Sequence, residues 1–383
     1  MSQVKLLAVF GTRPEAIKMA PLVKSLGDKR FPFTIKVAVT AQHREMLDQV
    51  LQLFQISPDY DLNIMQAEQD LAQVTVRALE GVSAVIREER PDMVLVHGDT
   101  TTTMAAALAA FYSRTPVAHV EAGLRTYCKY APFPEEINRH LVGVLGDLHF
   151  CPTQRTRENL LAEGVPAERI NVTGNTVIDA LLSVVQPDYH FTEPELDGVN
   201  FSRRVILITA HRRENWGAPM EDIFTALREV VCRYPDVEII FPVHKNPRLR
   251  QQVRAILHGV PRVHLIEPLE YAPFVNVMAR CHLVLTDSGG LQEEAPALGK
   301  PVLVLREVTE RPEAVAAGTV KLVGSRQENI VAGVSELLED DNLYQQMARA
   351  VNPYGDGKAV SRICHALAYY WEFSPQPPEE FDS

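Results

Sequence analysis

Short apolar runs with many β-branched residues alternate along this chain with longer segments of helical character, and this alternation limits the fold more than any other feature. The runs cover residues 4–10, 35–39, 93–96 and 117–120, and then 205–209, 238–243, 283–286 and 302–305. Apolar runs of this length between helices are typical of strands buried on both faces, which occur in parallel sheets built from βαβ units. The sequence therefore predicts an α/β fold with doubly wound parallel sheets.

The length of the chain predicts two such domains. At 383 residues and 42.8 kDa the chain exceeds the size at which one hydrophobic core usually keeps growing. Residues 186–200 are polar, contain prolines and lack periodicity, so we expect the interdomain linker there. The predicted parts are a Rossmann-like domain over 1–186, a second Rossmann-like domain over 187–365 and a tail over 366–383.

The tail combines two patterns. Residues 364–373 have the pattern of a helix, which we expect to pack back onto the first domain. Residues 374–383 are rich in proline and acidic side chains, and such a segment at a terminus is expected to be frayed.

Charge and cysteine usage disfavour several classes of partner. The formal net charge is −11 and the isoelectric point is about 5.6, which argues against nucleic acid or an anionic membrane as partner. No apolar stretch is long enough to span a membrane, and the apolar run at the start is too short for a signal peptide. The five cysteines are scattered, odd in number and without C-x-x-C spacing, which predicts reduced thiols in a cytoplasmic protein.

The apolar run at 283–286 leads directly into a glycine turn, Thr286-Asp-Ser-Gly-Gly-Leu-Gln-Glu-Glu-Ala-Pro. A helix beginning there presents unpaired amide donors and partial positive charge, which together favour an anion such as a diphosphate. Gly289 and Gly290 permit close backbone approach, and Glu293 and Glu294 suit ribose hydroxyls because ionised carboxylates only accept hydrogen bonds. The turn is equally compatible with a role without ligand, in which Ser288 caps the helix and the acids complement its dipole.

Other predicted strands also end in polar motifs. They are Gly11-Thr-Arg-Pro-Glu-Ala, His97-Gly-Asp-Thr-Thr-Thr-Thr and Glu121-Ala-Gly-Leu-Arg in the first half, and Ala210-His-Arg-Arg-Glu-Asn and His244-Lys-Asn-Pro in the second. Ligands of open α/β sheets bind beyond the carboxyl ends of the strands. Two sheets whose polar edges face each other would bring these motifs into one cleft, and domain interfaces are a favoured place for such sites.

Each motif residue also has an explanation that needs no ligand. Asp99 could cap the helix expected after it, and Glu135 could pair with Arg139 four residues further along a helix. His211 could be structural, and Arg13 could bridge loops.

Several common site motifs are absent from the sequence. We find no G-x-x-x-x-G-K-[ST], no G-x-G-x-x-G after the first strand, no H-E-x-x-H and no G-x-S-x-G. Their absence disfavours a P-loop ATPase, an ordinary dinucleotide dehydrogenase, a zincin and a serine hydrolase with a nucleophile elbow.

Taken together, the motifs closely resemble those of the bacterial non-hydrolysing UDP-N-acetylglucosamine 2-epimerases. The resemblance runs in the family's order over nearly the whole chain. The matching segments are Phe10-Gly-Thr-Arg-Pro-Glu-Ala-Ile-Lys-Met-Ala-Pro, Thr40-Ala-Gln-His-Arg, Val96-His-Gly-Asp-Thr-Thr-Thr-Thr, His119-Val-Glu-Ala-Gly-Leu-Arg-Thr, Pro134-Glu-Glu, Thr173-Gly-Asn-Thr-Val-Ile-Asp-Ala, the turn after Thr286, Thr309-Glu-Arg-Pro-Glu and Asn352-Pro-Tyr-Gly-Asp-Gly.

The resemblance implies a fold of the GT-B type, with two doubly wound Rossmann-like domains facing each other across a cleft. It implies interconversion of UDP-N-acetylglucosamine (UDP-GlcNAc) and UDP-N-acetylmannosamine (UDP-ManNAc) through anti elimination of UDP, a 2-acetamidoglucal intermediate and re-addition of UDP. It further implies a homodimer that needs neither a redox cofactor nor a metal.

The resemblance also assigns roles to individual residues. The family's essential carboxylates match Asp99, Glu121 and Glu135, and its essential histidine matches His211. Nucleotide binding carries over to Arg13, Lys18, Phe274, Ser288, Gly289, Gly290, Glu294 and Arg311. The two arginines are expected to face phosphate, the phenylalanine to cover uracil and the glutamate to hold ribose.

Bacterial members of the family can bind a second UDP-GlcNAc as an activator beside the active site. The residues that match this second site are Gln42, Glu135, Arg212 and His244. Glu45 and Glu68 stand where clearly regulated members have a glutamine and an arginine. Because an acid repels the phosphate that an arginine would bind, this difference argues against strong allosteric activation.

Three alternatives to a non-hydrolysing epimerase have to be weighed against the same residues. A hydrolysing 2-epimerase would release free N-acetylmannosamine and UDP, and a GT-B glycosyltransferase would transfer sugar to an acceptor. A catalytically silent UDP-sugar sensor would need none of the four residues Asp99, Glu121, Glu135 and His211, so their joint presence argues against it.

Overall fold

The computed structural model describes residues 3–28, 30–41, 44–66, 68–212 and 215–382. It divides into two compact units. The first unit contains the described residues up to Ser183 together with those from Tyr354 onward, and the second contains Val184–Pro353. Each unit is built on a parallel sheet with interleaved helices, which confirms the predicted fold class of two doubly wound α/β domains.

The first unit begins with a regular alternation of strands and helices. Its strands are β1 (Val4–Phe10), β2 (Phe33–Val39), β3 (Tyr60–Asp61), β4 (Met93–His97), β5 (Val117–Val120), β6 (Leu148–Cys151) and β7 (Ile170–Val172). Its helices are α1 (Arg13–Leu26), α2 (Arg44–Leu53), α3 (Leu71–Glu89), α4 (Thr101–Tyr112), α5 (Glu135–Leu145), α6 (Gln154–Ala162) and α7 (Thr176–Val184). Within the described residues the strand order is β3-β2-β1-β4-β5-β6-β7, all parallel.

The second unit repeats this plan. Its strands are β8 (Arg204–Thr209), β9 (Val237–Pro242), β10 (Val263–Ile266), β11 (Leu283–Thr286), β12 (Val302–Val304) and β13 (Val320–Leu322). Its helices are α8 (Ala218–Arg233), α9 (Pro247–Leu257), α10 (Tyr271–Arg280), α11 (Leu291–Ala297), α12 (Pro312–Ala316), α13 (Gln327–Glu339) and α14 (Asp341–Arg349). In the part of the chain that the structure describes, the parallel order is β10-β9-β8-β11-β12-β13.

The core of each unit lies against its central strands. The side chains of β1 from Leu6 to Phe10 are fully buried, and the alanines of α4 are small enough for that helix to lie close to the sheet and to α3. In the second unit the interior of β8 packs with Phe224 of α8 and Phe241 of β9. The eight apolar runs recognised in the sequence are all strands of these two sheets, with ends that differ by at most two residues.

Five strands were not predicted from the sequence. Three of them, β3, β7 and β13, have only two or three residues and lie at or beside the sheet edges. Strands this short leave no pattern that distinguishes them from loops, because alternation needs about four residues to be visible. The other two are β6 and β10, each of four residues.

The expected linker over 186–200 is instead packed into the second unit. The guanidinium of Arg280 lies 4.8 Å from the ring centroid of Phe191, which stacks on Phe201 at 5.3 Å. The backbone N–H of Gln186 donates to Asn276 Oδ1 at 2.9 Å. The change of unit lies between Ser183 and Val184, just before this segment, and the polar composition concealed the aromatic residues that pack the segment into the second unit.

The chain rejoins the first unit at Tyr354, earlier than the boundary predicted at 365. Asp179 accepts hydrogen bonds from the backbone N–H groups of Ala359 (3.2 Å) and Val360 (2.9 Å), at the start of α15 (Ala359–Tyr370). Arg362 Nη1 donates to the Thr173 carbonyl at 3.2 Å. These polar contacts depend on residues about 180 positions apart, so no local pattern reports them.

The proline-rich terminus is also ordered against the first unit. Phe381 is buried beside Leu160 and Ile170, and its backbone N–H donates to the Val172 carbonyl at 2.8 Å. Glu380 accepts from Arg157 Nη1 at 2.7 Å. The expectation of a frayed tail was therefore wrong, because one apolar side chain and one ion pair hold the segment at the sheet edge.

Candidate active site

Each sheet reverses its strand order at one point, and four of the six predicted motifs lie at these two points, while the motifs after β5 and β9 lie one strand away. In the first sheet the reversal is between β1 and β4, which end at the Gly11 and Gly98 turns. In the second sheet it is between β8 and β11, which end at His211 and at the turn after Thr286. Because ligands of open α/β sheets bind at such switch points, the topology supports the choice of motifs in each unit.

Glu15 connects the two motifs of the first switch point. Its Oε2 accepts from the backbone N–H groups of Gly11 (3.0 Å) and Thr12 (2.8 Å), and its Oε1 accepts from the hydroxyls of Thr100 (2.6 Å) and Thr103 (2.9 Å). The residue is only 2% exposed. Sequence reasoning missed this role, although the capping-box spacing from Thr12 to Glu15 was a usable signal.

Asp99 is paired with an arginine that arrives from α5. Its Oδ2 accepts from Arg139 Nε at 3.0 Å and also from Nη2, while Asn138 Nδ2 donates to the Asp99 carbonyl at 2.9 Å. The cap of α4 is Thr100, whose hydroxyl accepts from Thr103 N–H, so the capping explanation for Asp99 was wrong. Burial raises the pKa of Asp99. The positive charge of Arg139 lowers it by less, and the nearby negative charge of Glu121 raises it further.

Glu121 follows β5 in a left-handed conformation with φ of 60°. Its Oε2 accepts from Lys18 Nζ and from Asn175 Nδ2 (2.8 Å), and it lies 3.8 Å from His97 Nε2. The structure thus brings together one residue predicted for catalysis and one predicted for UDP binding. Asn175 belongs to the segment beginning at Thr173 that carries part of the family resemblance, but the resemblance assigned it no role.

Glu135 is the first residue of α5 and is half-buried. The expected pair between Glu135 and Arg139 is not formed, because Arg139 contacts Asp99 and Glu136 instead, with Nη1 3.2 Å from Glu136 Oε2. The charge of Glu135 nevertheless acts on Asp99, where it adds to the rise in pKa. Glu136 is buried and accepts the backbone N–H of Tyr127 at 2.8 Å, so it anchors the preceding loop.

Three buried histidines lie on β4, β5 and β6 of the same sheet. Burial lowers the pKa of His97 to about 4, that of His119 to about 3 and that of His149 to about 4. His119 Nε2 lies 2.7 Å from the Gly98 carbonyl. A carbonyl oxygen can only accept, so this nitrogen carries the hydrogen and fixes the turn before Asp99.

In the second unit the glycine turn opens α11 without a side-chain cap. The cap residue is Gly290, and the backbone N–H of Ser288 donates to Thr286 Oγ1 at 2.9 Å. The alternative in which Ser288 caps the helix was therefore wrong. A Cβ added at Gly289 or Gly290 would meet its nearest atom only at 3.9 or 4.0 Å, so packing does not require glycine at either position.

The two acids of α11 have different surroundings. Glu293 is buried and paired with Arg311 Nε, and its carbonyl accepts from Asn352 Nδ2 at 2.8 Å. Glu294 is half-buried, and its Oε1 accepts from the Tyr271 hydroxyl at 3.4 Å. The sequence treated both acids as candidates for ribose, and the structure gives Glu293 a structural partner. Phe274 lies half-buried on α10.

His211 lies next to a buried carboxylate and a second histidine. Its Nδ1 is 3.1 Å from Asp287 Oδ1, and its ring stacks on His244 with centroids 5.8 Å apart. Arg212 Nη1 lies 3.7 Å from Glu310 Oε1. Two residues matched to the activator site, Arg212 and His244, thus flank the predicted catalytic histidine.

The remaining activator residues belong to the first unit. Gln42 lies outside the described residues. Glu45 is in the first turn of α2 and is exposed, and Glu68 is exposed with φ of 58°. Arg13, which the resemblance assigns to nucleotide binding and not to the activator site, begins α1 and is half-buried.

Across the described ranges, no group of three or more His, Cys, Asp or Glu side chains is arranged to hold a metal ion. Of the helices formed by those residues, none is both long and apolar enough to cross a bilayer.

Comparison with known proteins identifies the family of this chain. Residues 27–368 match the family model described as UDP-N-acetylglucosamine 2-epimerase. The UDP-N-acetylglucosamine 2-epimerase of Escherichia coli strain K12 is 56% identical over 377 residues, covering 95% of this chain and 98% of that protein. The enzyme of the same name from Bacillus subtilis strain 168 is 53% identical over 382 residues, covering 100% of this chain and 99% of that protein.

A solved structure extends the likeness to three dimensions. The crystal structure of UDP-GlcNAc 2-epimerase from Neisseria meningitidis bound to UDP-GlcNAc has a TM-score of 0.86 and 51% identity, covering 96% of this chain and all of that one. With its two doubly wound sheets, the chain has the GT-B type fold that the sequence predicted. Sequence and structure together show that the chain belongs to the UDP-N-acetylglucosamine 2-epimerase family.

Proposed function

We propose that this chain interconverts UDP-GlcNAc and UDP-ManNAc by inverting C2, with no net hydrolysis. Membership of the family supports the substrate class, and the N. meningitidis relative is described as bound to UDP-GlcNAc. The observation that carries the proposal is the pair of carboxylates that follow the neighbouring strands β4 and β5, Asp99 and Glu121, each held by its own cation.

The proposed reaction is an elimination followed by its reverse on the other face. A carboxylate removes the proton at C2, the bond from C1 to the phosphate oxygen breaks, and the electron pair of that bond leaves with UDP. A double bond between C1 and C2 forms, giving 2-acetamidoglucal. In the return step UDP adds to C1 and a proton is delivered to C2 from the opposite side, so no oxidant, reductant or water is consumed.

The surroundings of the two carboxylates suit opposite roles in proton transfer. Burial raises the pKa of Asp99, whereas Glu121 is contacted by Lys18, Asn175 and His97. Groups whose environments differ in this way can serve as acid and base on one substrate. Glu135 is proposed as the third catalytic carboxylate.

The second unit is proposed to hold the departing UDP. Gly289 and Gly290 are uncrowded, since an added Cβ would make only ordinary van der Waals contact, and they stand at a helix start, where backbone amides favour a diphosphate. Arg311 is proposed to contact phosphate, Glu294 ribose and Phe274 uracil, while Arg13 and Lys18 keep the UDP-binding role that the family resemblance gives them. UDP has to stay bound while C2 is reprotonated, so these contacts support catalysis as well as affinity.

Hydrogen exchange in D2O tests this function. Purified protein with UDP-GlcNAc is expected to form UDP-ManNAc and to place deuterium at C2 of both sugars, followed by ¹H NMR. Absence of deuterium at C2 would contradict the elimination. Free N-acetylmannosamine with UDP would identify a hydrolysing enzyme, and turnover only with an added acceptor would identify a glycosyltransferase.

We further propose that the chain acts as a cytoplasmic homodimer. On α5, Ile137, Leu141 and Val144 form one exposed apolar stripe, with Val144 84% exposed. Burying such a stripe in a second copy removes apolar surface from water. Light scattering is expected to give twice the mass of the chain, and Val144→Asp together with Leu141→Asp to give the monomer. A monomeric parent protein would contradict this assembly.

We propose that the reaction needs no redox cofactor or metal, so activity is expected to survive dialysis against EDTA.

We also propose that a second UDP-GlcNAc activates the enzyme only weakly, because Glu45 and Glu68 repel phosphate. A hyperbolic dependence of rate on UDP-GlcNAc is expected, and a strongly sigmoidal one would show that activation is retained.

A further inference from the structure

Asn175 is a buried amide in the turn between β7 and α7, and the proposed reaction has assigned it no role. Its side chain belongs to a residue that is only 3% exposed. The segment beginning at Thr173 and the segment beginning at Asn352 both carry part of the family resemblance, and neither has entered the reaction proposed above. A buried side-chain amide needs partners for its N–H donors and for its oxygen, so its contacts show what it serves.

The orientation of the Asn175 amide is fixed by its neighbours. Its Oδ1 accepts from the backbone N–H of Val177 at 3.0 Å. Because a backbone N–H can only donate, the atom that faces it is the oxygen of the amide. The NH2 group is therefore turned toward Glu121, and Nδ2 donates to Glu121 Oε2 at 2.8 Å. One side chain thus joins the start of α7 to the carboxylate that follows β5.

The backbone of Asn175 is held by the chain where it rejoins the first unit. The N–H of Asn175 donates to the carbonyl of Tyr354, a buried residue, at 2.7 Å. A Cβ added at Gly174, which has φ of 83°, would lie 3.2 Å from Gly355 Cα, so the two segments approach each other closely at glycines. These contacts place the Asn175 amide without help from Glu121, and a group that is fixed in this way can orient another.

Glu121 has a conformation that needs such support. Its φ of 60° is left-handed, which a residue with a Cβ keeps only where its surroundings determine it. Its Oε2 accepts from Lys18 Nζ as well as from Asn175. Its Oε1 lies on the side of the Gly98 turn, 3.8 Å from the place that a Cβ at Gly98 would take. Two donors on Oε2 therefore turn the carboxylate so that Oε1 faces the turn that carries Asp99.

We propose that Asn175 is a positioning residue that acts through Glu121, fixing the rotation of its carboxylate relative to Asp99 for proton transfer at C2. The proposal rests on the elimination of UDP proposed above. The hydrogens of the Asn175 amide stay on its nitrogen throughout, and the amide contacts the carboxylate rather than the sugar. A small displacement of a catalytic group is enough to slow a reaction about 10²-fold, so one orienting hydrogen bond has a measurable effect.

The substitution Asn175→Asp separates the donor from the turn. Aspartate keeps an oxygen for the N–H of Val177 and is as well suited as asparagine to such a turn, but it presents an oxygen to Glu121 in place of an N–H. We expect kcat for UDP-ManNAc formation to fall about 10²-fold or more, and KM to change by less than about threefold. A residue that served only the turn would keep its kcat in this variant.

Asn175→Ser tests the same donor without adding a charge. The serine hydroxyl can accept the N–H of Val177 but is too short to reach Glu121, so kcat should again fall about 10²-fold, with a melting temperature close to that of the parent. Asn200→Asp is the matched control, because Asn200 Oδ1 accepts the N–H of Ser202 at 3.0 Å in the same kind of turn at the surface. Its kcat should be unchanged. Parent-like kcat in Asn175→Ser would overturn the proposal.

A double variant tests whether Asn175 acts through Glu121. In a Glu121→Gln background, Asn175→Ser is expected to cause no further loss in the rate of C2 exchange, because the carboxylate that it orients is already gone. Multiplicative losses in the double variant would show that Asn175 acts by another route, and they would overturn the proposal.

An NMR measurement tests the pair without turnover. In ¹⁵N-asparagine-labelled protein, the side-chain NH2 signal of Asn175 is the one that disappears in Asn175→Ser. Glu121→Gln should shift this signal, because the NH2 group then meets an amide in place of a carboxylate. Glu88→Gln, which changes an exposed glutamate of the same unit, should leave it in place. A signal unmoved by Glu121→Gln would overturn the pair, whereas a parent protein that forms no UDP-ManNAc would contradict the proposed reaction instead.

Discussion

The two sheets have the same switch-point topology but carry different chemistry at their carboxyl edges. At the first edge, at β1 and β4 and the neighbouring β5, acids dominate: Asp99 and Glu121 are each held by a cation, and Glu15 is enclosed by hydrogen-bond donors. At the second, between β8 and β11, the edge offers a glycine turn, a histidine and Arg311. The topology fixes where a ligand meets each sheet, and the residues after the strands decide what that place can do.

The space around two glycines, Gly11 and Gly290, also differs between the edges. A Cβ added at Gly11 would lie 1.9 Å from Thr40 Oγ1, so close packing alone requires glycine there. At Gly290 the nearest atom would be 4.0 Å away. The space beside Gly11 is filled by the protein itself, whereas the backbone at Gly290 can be approached by a ligand.

The largest expected effect comes from neutralising the acids of the first edge. Asp99→Asn and Glu121→Gln should each lower the rate of C2 exchange by about 10³-fold or more, because proton transfer loses its acid or base. UDP binding, measured by calorimetry, should remain detectable, because the proposed diphosphate seat is at the second edge.

Asp92→Asn provides the control for these variants. Asp92 lies just before β4, at the opposite end of the strand from Asp99, and accepts the backbone N–H of Lys5 at 2.7 Å, which an asparagine can still do. Its activity should equal that of the parent. Full exchange activity in both acid variants would show that the catalytic carboxylates are wrongly assigned.

The next largest effect distinguishes a glycine that packing requires from a glycine that lets a ligand approach the backbone. Gly11→Ala should destabilise the first unit by roughly 2–3 kcal/mol, because Thr40 has to move. Gly290→Ala should change the stability of the second unit by less than about 1 kcal/mol. The same Gly290 variant should weaken UDP binding about tenfold, since the added methyl occupies the proposed ligand space.

Each unit contains one of the two tryptophans, Trp371 in the first and Trp216 in the second. Urea unfolding of Trp216→Phe, followed by fluorescence, therefore reports the first unit, and Trp371→Phe reports the second. An unchanged first unit in Gly11→Ala, or unchanged UDP affinity in Gly290→Ala, would remove the distinction between the edges.

The smallest expected effect is a difference in acid sensitivity. His97, His119 and His149 have pKa values lowered by burial to about 3–4, so the unfolded chain binds their protons more tightly. Their contribution to stability is complete above about pH 6.5 and is lost as pH falls through these values. Asp179 opposes them, because burial raises its pKa to about 6 and protonation below that pH favours the folded state.

The destabilisation by the three histidines in acid outweighs the stabilisation by the one aspartate. The first unit, reported by Trp371, should therefore unfold at a higher pH than the second unit, reported by Trp216. His149→Gln should lower the acid midpoint of the first unit by about half a pH unit, because one buried group no longer needs to be charged. The exposed His190→Gln should leave both midpoints unchanged. Coincident midpoints in all variants would contradict this account.

The sequence by itself determined the class of fold and the candidate residues. Strands buried on both faces require continuous apolar runs, so all eight recognised runs became strands, and the motifs after them were visible because parallel strands end at one edge. Short edge strands, the packed segment at 186–200 and the docked Phe381 were missed, because each depends on a few contacts with distant residues.

Only the tertiary structure decided the partners of these residues. Lys18 meets Glu121 across 103 positions, Arg139 meets Asp99 across 40, and the amide of His211 meets Asp287 across 76. Strand order brings such residues together, and a local pattern cannot report it. The charge state of a side chain depends on burial and on these partners, so the sequence could name the carboxylates but not their surroundings.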